Sequence, residues 1–391
     1  MKFYKKCIIF TLLLTILQVL IFPTAIAIPE EYEPNFSSIY SKNFLVFDRN
    51  SKNVILESNG FDKSYIASTT KIMTCILAIE HGNLNDLVEV SKKAASVSGS
   101  KLNLKANSKI YLKDLLYGLM LRSGNDAAIA IAEHISGSLD NFSILMNQKA
   151  KELNLKTTHL SSPHGLDNEN HYSSCYDLAV LTDYALNNDL FKKIVSTNST
   201  HISLNGNSTH INNTNNLLRD YSGFYGVKTG FTFNAGRCLV SAYKNNDIDI
   251  IIVTLNANSN IQRTKDTISL KNFILKNYEV ISLKNEIFST FNSFLKENKE
   301  LYFKSFPESI ITLSDSFLDI DKFIIQKNSN IDFKINIQPI LSYNNFIGNK
   351  IGTFNIYNDG KILSSIDIIL SSEIKKLDFK FYFYYLLSEI V

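Results

Sequence analysis

The chain has 391 residues, 45% hydrophobic and 20% charged, with a formal net charge of +3. That length exceeds one ordinary core, and that composition excludes a disordered chain. The balance is too mild, and the Lys/Arg residues too dispersed, for a nucleic-acid-binding protein.

In chain order, Lys2, Lys5 and Lys6 precede an apolar run from Cys7 to Phe22, followed by small residues Ala25 and Ala27. This charged, apolar, small-residue order predicts a secretory signal peptide over 1–27, with an uncleaved membrane anchor as the alternative. Three cysteines then remain, Cys75, Cys175 and Cys238. Their odd count and irregular spacing predict buried apolar groups rather than a disulfide framework. No C-x-x-C or H-E-x-x-H spacing suggests a metal site, and no cofactor is expected.

"NFLVFDRNSKNVILES" (43–58) predicts two strands about a turn. Ile72, Cys75, Ile76 and Ile79 recur at three and four, which predicts a helix from Ser68 to about Asn83. Further helices are predicted over 112–121, 126–135 and 174–186, with a polar break "RSGN" between the first two. "FYGVKTG" (224–230) predicts a strand that stops at Gly230, followed by strands in "RCLVSAY" and "IDIIIVTL" and a helix closing near residue 278. From 283 to 374 the pattern alternates and carries the Asp359-Gly360 hairpin signal, which predicts a small all-β domain. The last stretch, 375–391, is apolar but too short to span a bilayer. It reads as a membrane-surface anchor, with a final strand or packed helix as the alternative.

Ser68 stands three residues before Lys71 in "YIASTTKIMT". On one helical face the two would lie within hydrogen-bond reach. A serine hydroxyl needs a base to become a nucleophile, and lysine is one only if burial or a second cation lowers its pKa from about 10.4. Alone, S-x-x-K also describes a solvated first turn. Two more elements accompany it. Ser123-Gly124-Asn125 places a hydroxyl and an amide on a tight turn, where Asn125 could instead cap the next helix. Lys228-Thr229-Gly230 ends a strand with a cation and a hydroxyl, or marks an edge strand protected by lysine.

In this order the three elements match S-x-x-K, S-x-N and K-T-G. With "LLYGLMLRSGNDAAIAIAEHISGS", "SSPHGLDNENHYSSCYDLAVL", "NTNNLL" and "GVKTGFTFNAGRCLVSA", the chain resembles the D-alanyl-D-alanine carboxypeptidases, the low-molecular-mass penicillin-binding proteins. The resemblance covers roughly residues 35 to 280 and continues more weakly through "IGTFNIYNDGKI". It implies an α+β fold: a penicillin-binding/β-lactamase-like catalytic domain over 28–282, an antiparallel sheet with a helical subdomain, followed by the β-rich domain. It implies removal of the terminal D-Ala from peptidoglycan stem peptides through an acyl-serine, β-lactam antibiotics as acylating inhibitors, and action in the cell wall outside the membrane.

By the same resemblance, Ser68 is the nucleophile, Lys71 its base and Ser123 the proton relay. Asn125 holds substrate or Lys71. Lys228, Thr229 and Gly230 form the strand that receives the substrate, with Lys228 and Thr229 toward its carboxylate. The backbone N–H groups of Ser68 and Phe231 form the oxyanion hole. Arg263 faces the substrate carboxylate, with a lone surface arginine as the alternative. His164 and His171 match the family and read as structural. Rivals are a D,D-endopeptidase, a β-lactamase, disfavoured by Gly124 in the middle motif, and a non-catalytic penicillin sensor, disfavoured by three intact motifs.

Overall fold

In the computed structural model, residues 39–204, 206–298, 311–314, 322–337 and 348–371 are described. The stretches expected to be a signal peptide (1–27) and a surface anchor (375–391) lie outside them. From Tyr40 onward the chain belongs to one compact unit.

The described residues open with a hairpin of β1 (Asn43–Asp48) and β2 (Val54–Ser58). A 3-10 turn, Ala67–Thr70, leads into α1 (Lys71–His81). Then come β3 (Leu87–Glu89), α2 (Lys92–Ser96), β4 (Lys109–Tyr111), α3 (Leu112–Leu121), α4 (Asn125–Ser136) and α5 (Leu139–Glu152). After a long loop follow α6 (Cys175–Leu186), α7 (Asp189–Ser196), a hairpin of β5 (Ser199–Leu204) and β6 (Asn207–Asn212), and the short α8 (Leu217–Asp220). Strands β7 (Phe224–Thr232), β8 (Gly236–Asn245) and β9 (Ile248–Ala257) precede the long α9 (Asn260–Asn277) and β10 (Tyr278–Ser282).

The central sheet is antiparallel in the order β2-β1-β9-β8-β7, so β7 is an edge strand. Strand β9 is apolar along nearly its whole length because both its faces are covered, by α9 on one side and α6 on the other. The main core joins Leu45, Ile251, Val253 and Val240 of the sheet to Ile72, Ile76, Leu116, Ile131 and Phe142 of the helices. The three cysteines sit free and fully buried, and burial raises their thiol pKa values. They pack as small apolar groups, as their spacing suggested.

Three local expectations change. The segment carrying Ser68 is not α-helical; the α-helix begins only at Lys71. Strand β7 runs two residues beyond Gly230. The stretch read as wholly β opens with a helix, α10 (Lys284–Glu297). Its buried residues Ile287, Phe291 and Leu295 recur every fourth position, a helical stripe that a reading by alternation passes over.

These three side chains join a second core with β11 (Ile311–Leu313), β12 (Lys322–Gln326), β13 (Ile331–Ile337), β14 (Lys350–Asn358) and β15 (Lys361–Leu370). Strands β14 and β15 meet at Asp359-Gly360, both in the left-handed region at φ 47° and 77°, as a two-residue hairpin turn requires.

Candidate active site

The 3-10 geometry bears directly on Ser68 and Lys71. At three residues per turn, positions i and i+3 eclipse, which aligns the two side chains better than an α-turn would. Lys71 Nζ lies 2.8 Å from Ser68 Oγ. Ala67, just before the serine, holds φ 47°, an uncommon conformation for a side-chain-bearing residue. Ser68 itself is half-buried, so its hydroxyl remains reachable.

Lys71 is fully buried. Besides Ser68, it contacts Asn125 Oδ1 at 2.7 Å and the His164 carbonyl at 2.8 Å. A charged amine would donate to all three. A neutral amine has two N–H groups and one lone pair, so donating to Asn125 and His164 aims the lone pair at Ser68. Burial first, then the charge of Lys228, holds the Lys71 pKa well below the ordinary lysine value, against the opposing pull of Asp126. The neutral form is therefore far more accessible than in an ordinary lysine.

Asn125 is the first residue of α4, and its side chain does not cap that helix. Its oxygen faces Lys71, and its nitrogen donates to the Ser98 carbonyl at 2.7 Å. Gly99, at φ 84°, is needed beside it, because a Cβ there would come within 2.7 Å of Asn125 Nδ2. Asp126 is also fully buried and accepts from the backbone N–H groups of Leu102 and Leu104. It thereby pins the 98–104 loop, which brings Ser100 to the cleft. Ser123 sits on the turn before α4 at φ 60° and lines the same cleft.

The His164 carbonyl is delivered by a close loop crossing. A Cβ on Gly165 would lie 1.9 Å from the Ala67 carbonyl oxygen, so only glycine fits. Thr70 donates to the Ala67 carbonyl and so accepts from His171 Nε2 at 2.7 Å. His171 Nδ1 accepts from the Ser161 N–H. This fixes a neutral Nε2–H imidazole, consistent with burial lowering His171 to about 4 and His164 to about 3. Both histidines support the lysine's surroundings from behind, a structural placement.

Strand β7 forms the other wall. Lys228 is fully buried, not a solvated guard of the edge, and donates to the Thr229 carbonyl at 2.9 Å. Burial, with the added charge of Arg263, lowers it to about 7. The Thr229 and Thr214 hydroxyls are 2.8 Å apart. Arg263, also buried rather than a lone surface arginine, lines the cleft and donates weakly to the Cys238 carbonyl at 3.4 Å, while its Nε has no partner. A Cβ on Gly230 would lie 3.1 Å from the Ile66 carbonyl oxygen and 3.2 Å from Ser68 N. Gly230→Ala is expected to displace the serine turn by a few tenths of an ångström and slow Ser68 acylation by about tenfold or more, with little change in melting temperature. Stopped-flow acylation by a chromogenic β-lactam would measure it; an unchanged rate would refute the close-approach argument.

The structure thus brings Ser68, Ser123, Thr229, Gly230, Phe231 and Arg263 onto one cleft of about 660 Å³, with Lys71, Asn125 and Lys228 buried and bonded to its lining or to each other. Sequence reasoning missed Ser100, Thr214, Asn216 and Arg237 on its wall. Thr214 and Asn216 lie within "NTNNLL"; the 98–104 loop carries no local signal.

Comparisons with known proteins find a family and a shared fold. A family model described as D-alanyl-D-alanine carboxypeptidase matches residues 30–259. The D-alanyl-D-alanine carboxypeptidase DacF of Bacillus subtilis is 30% identical over 383 residues, covering 96% of each chain. DacD of Escherichia coli is 32% identical over 241 residues, 58% of this chain and 61% of that one. Penicillin binding protein 5 from Haemophilus influenzae shares the fold, with TM-score 0.69 at 24% identity over 86% of this chain and 98% of that one. A serine-to-alanine mutant of a Streptomyces DD-transpeptidase superposes with TM-score 0.58 at 29% identity, over 60% of this chain and 97% of that one.

Proposed function

Because the chain belongs to the D-alanyl-D-alanine carboxypeptidase family, we propose that its cleft removes the terminal D-Ala from peptidoglycan stem peptides through an acyl-Ser68 intermediate. The observation that carries this reading is the buried amine of Lys71, 2.8 Å from Ser68 Oγ and held by two fixed acceptors.

The substrate lies along edge strand β7 as an added strand, its terminal carboxylate toward Lys228, Thr229 and Arg263. Ser68 Oγ attacks the carbonyl carbon of the penultimate D-Ala as its proton passes to Lys71 Nζ. The backbone N–H groups of Ser68 and Phe231 receive the oxyanion. As the C–N bond breaks, Ser123 passes a proton toward the departing amine. Water then cleaves the ester and restores Ser68, with Lys71 again taking a proton. Asn125 orients Lys71 and the substrate backbone. Penicillins, whose lactam places a reactive carbonyl beside a carboxylate, enter the same path and stop at the acyl-enzyme.

The lysine-rich, apolar N-terminus supports export across the cytoplasmic membrane, and the apolar tail supports a resting place at its outer surface. The 283–374 region then serves as a spacer between that surface and the cleft.

The test is D-Ala release from a peptide ending in Lys-D-Ala-D-Ala. Wild type is expected to release D-Ala and to form a covalent penicillin adduct on Ser68, and Ser68→Ala to do neither. Release that persists in Ser68→Ala would sink the acyl-serine mechanism.

A further inference from the structure

Beyond the carboxylate cradle, the cleft carries a cation that the mechanism does not use. Arg237 stands at the start of β8, directly opposite Phe231 in the sheet. It lines the cleft, with its guanidinium carbon 3.5 Å from the centre of the Phe231 ring. Phe231 in turn meets the edge of Phe233, their centroids 5.8 Å apart. Among the described residues Arg237 forms no ion pair. The acids nearby are committed elsewhere. Asp167 accepts from Thr232 Oγ1 at 2.6 Å and from the Asn234 N–H, and Asp220 pairs with Arg219.

The ties to Asp167 also hold the β7–β8 turn in place, so Arg237 is presented on a braced hairpin. Its neighbours in the cleft are cations too. Burial, and beyond it the charge of Arg237, holds Arg263 down to about 10. Two arginines, with a buried lysine beneath them, exceed what one terminal carboxylate balances.

The direction of the substrate follows from the site. With its terminal carboxylate at Lys228 and Thr229 and its reacting carbonyl at Ser68 and Gly230, the stem must continue past Phe231 toward Thr232. One peptide step along a strand is about 3.3 Å. The residue preceding D-Ala-D-Ala therefore lies beside Phe231, under the guanidinium stacked upon it.

We propose that Arg237 is a specificity-determining residue: it binds a second carboxylate of the substrate, carried by the side chain of the residue that precedes D-Ala-D-Ala. A guanidinium held flat on an aromatic ring keeps its N–H edge free for a bidentate carboxylate. The preferred stem then carries a diaminodicarboxylate at its third position rather than lysine. This inference rests on the carboxypeptidase reading above.

The test uses two pentapeptides that differ only at that residue, meso-diaminopimelate in one and lysine in the other. For the wild type, kcat/KM for D-Ala release is expected to favour the dicarboxylate peptide by about tenfold or more, through KM. Arg237→Gln is expected to bring the ratio near one, and Arg237→Lys to restore part of it. Because both peptides undergo the same chemical step, the ratio corrects for any loss of folded enzyme. A wild-type ratio near one, or a preference that survives in Arg237→Gln, overturns the inference and leaves the carboxypeptidase reading intact. Release from neither peptide overturns that reading and this inference with it.

Discussion

Lys71→Ala is expected to slow acylation of Ser68 by about a thousandfold, the scale of a lost general base. The amine is fully buried, and its three contacts are Ser68 Oγ, Asn125 Oδ1 and the His164 carbonyl. No other basic side chain contacts Ser68 Oγ among the described residues. His171, the other titratable side chain tied to this turn, spends its Nε2 proton on Thr70 and its Nδ1 lone pair on Ser161. The pH profile separates a lost base from a disturbed fold. In the proposed mechanism Lys71 acts in its neutral form, so wild-type acylation is expected to fall as pH drops through its lowered pKa. That acid limb should vanish in Lys71→Ala, leaving a low, flat rate. The two neighbouring histidines, at about 3 and about 4, stay neutral through the working range and cannot supply the limb. A variant that retained both the rate and the limb would place the base elsewhere.

How much of this could be read beforehand differs from residue to residue. Ser68 and Lys71 were legible because their relation is local: three residues apart fixes them on one side of a turn, whether 3-10 or α. The same holds for the Asp359-Gly360 hairpin, whose left-handed angles are written in the residue types. The buried state of Lys228 was not legible, since it depends on the serine turn and α1 packing against β7, and a lysine in a strand next to glycine looks the same on a solvated edge. Arg237 was invisible for a similar reason. Its significance lies in the strand register that sets it opposite Phe231 and in acids that bind other partners. The 98–104 loop is held by Asn125 and the Asp126 carboxylate, from a helix more than twenty residues away. Helix α10 was obscured by composition: in a stretch rich in Phe, Asn and Ser, a spacing of four competes with nearby alternation.

Lys228→Met should separate stability from activity, because the buried amine that aids the chemistry weakens the fold. In the unfolded chain Lys228 titrates near 10.5, and in the fold near 7. Between these values the unfolded state binds more protons, so stability decreases as pH falls. The penalty is absent above about 10.5, grows as pH falls to about 7, and stays constant below. Methionine fills a similar volume without charge and forgoes only the hydrogen bond to the Thr229 carbonyl. At neutral pH the variant is therefore expected to be more stable than wild type by about 1–4 kcal/mol, with the difference shrinking toward pH 10. Activity should move the other way. Without the Lys228 cation the terminal carboxylate loses a partner, raising KM. Lys71 also loses a charge that lowers its pKa, so the acid limb of acylation should shift to higher pH. Urea unfolding at several pH values, beside acylation profiles, measures both halves. A variant less stable than wild type at every pH would mean that Lys228 is held by favourable contacts rather than by the needs of the substrate.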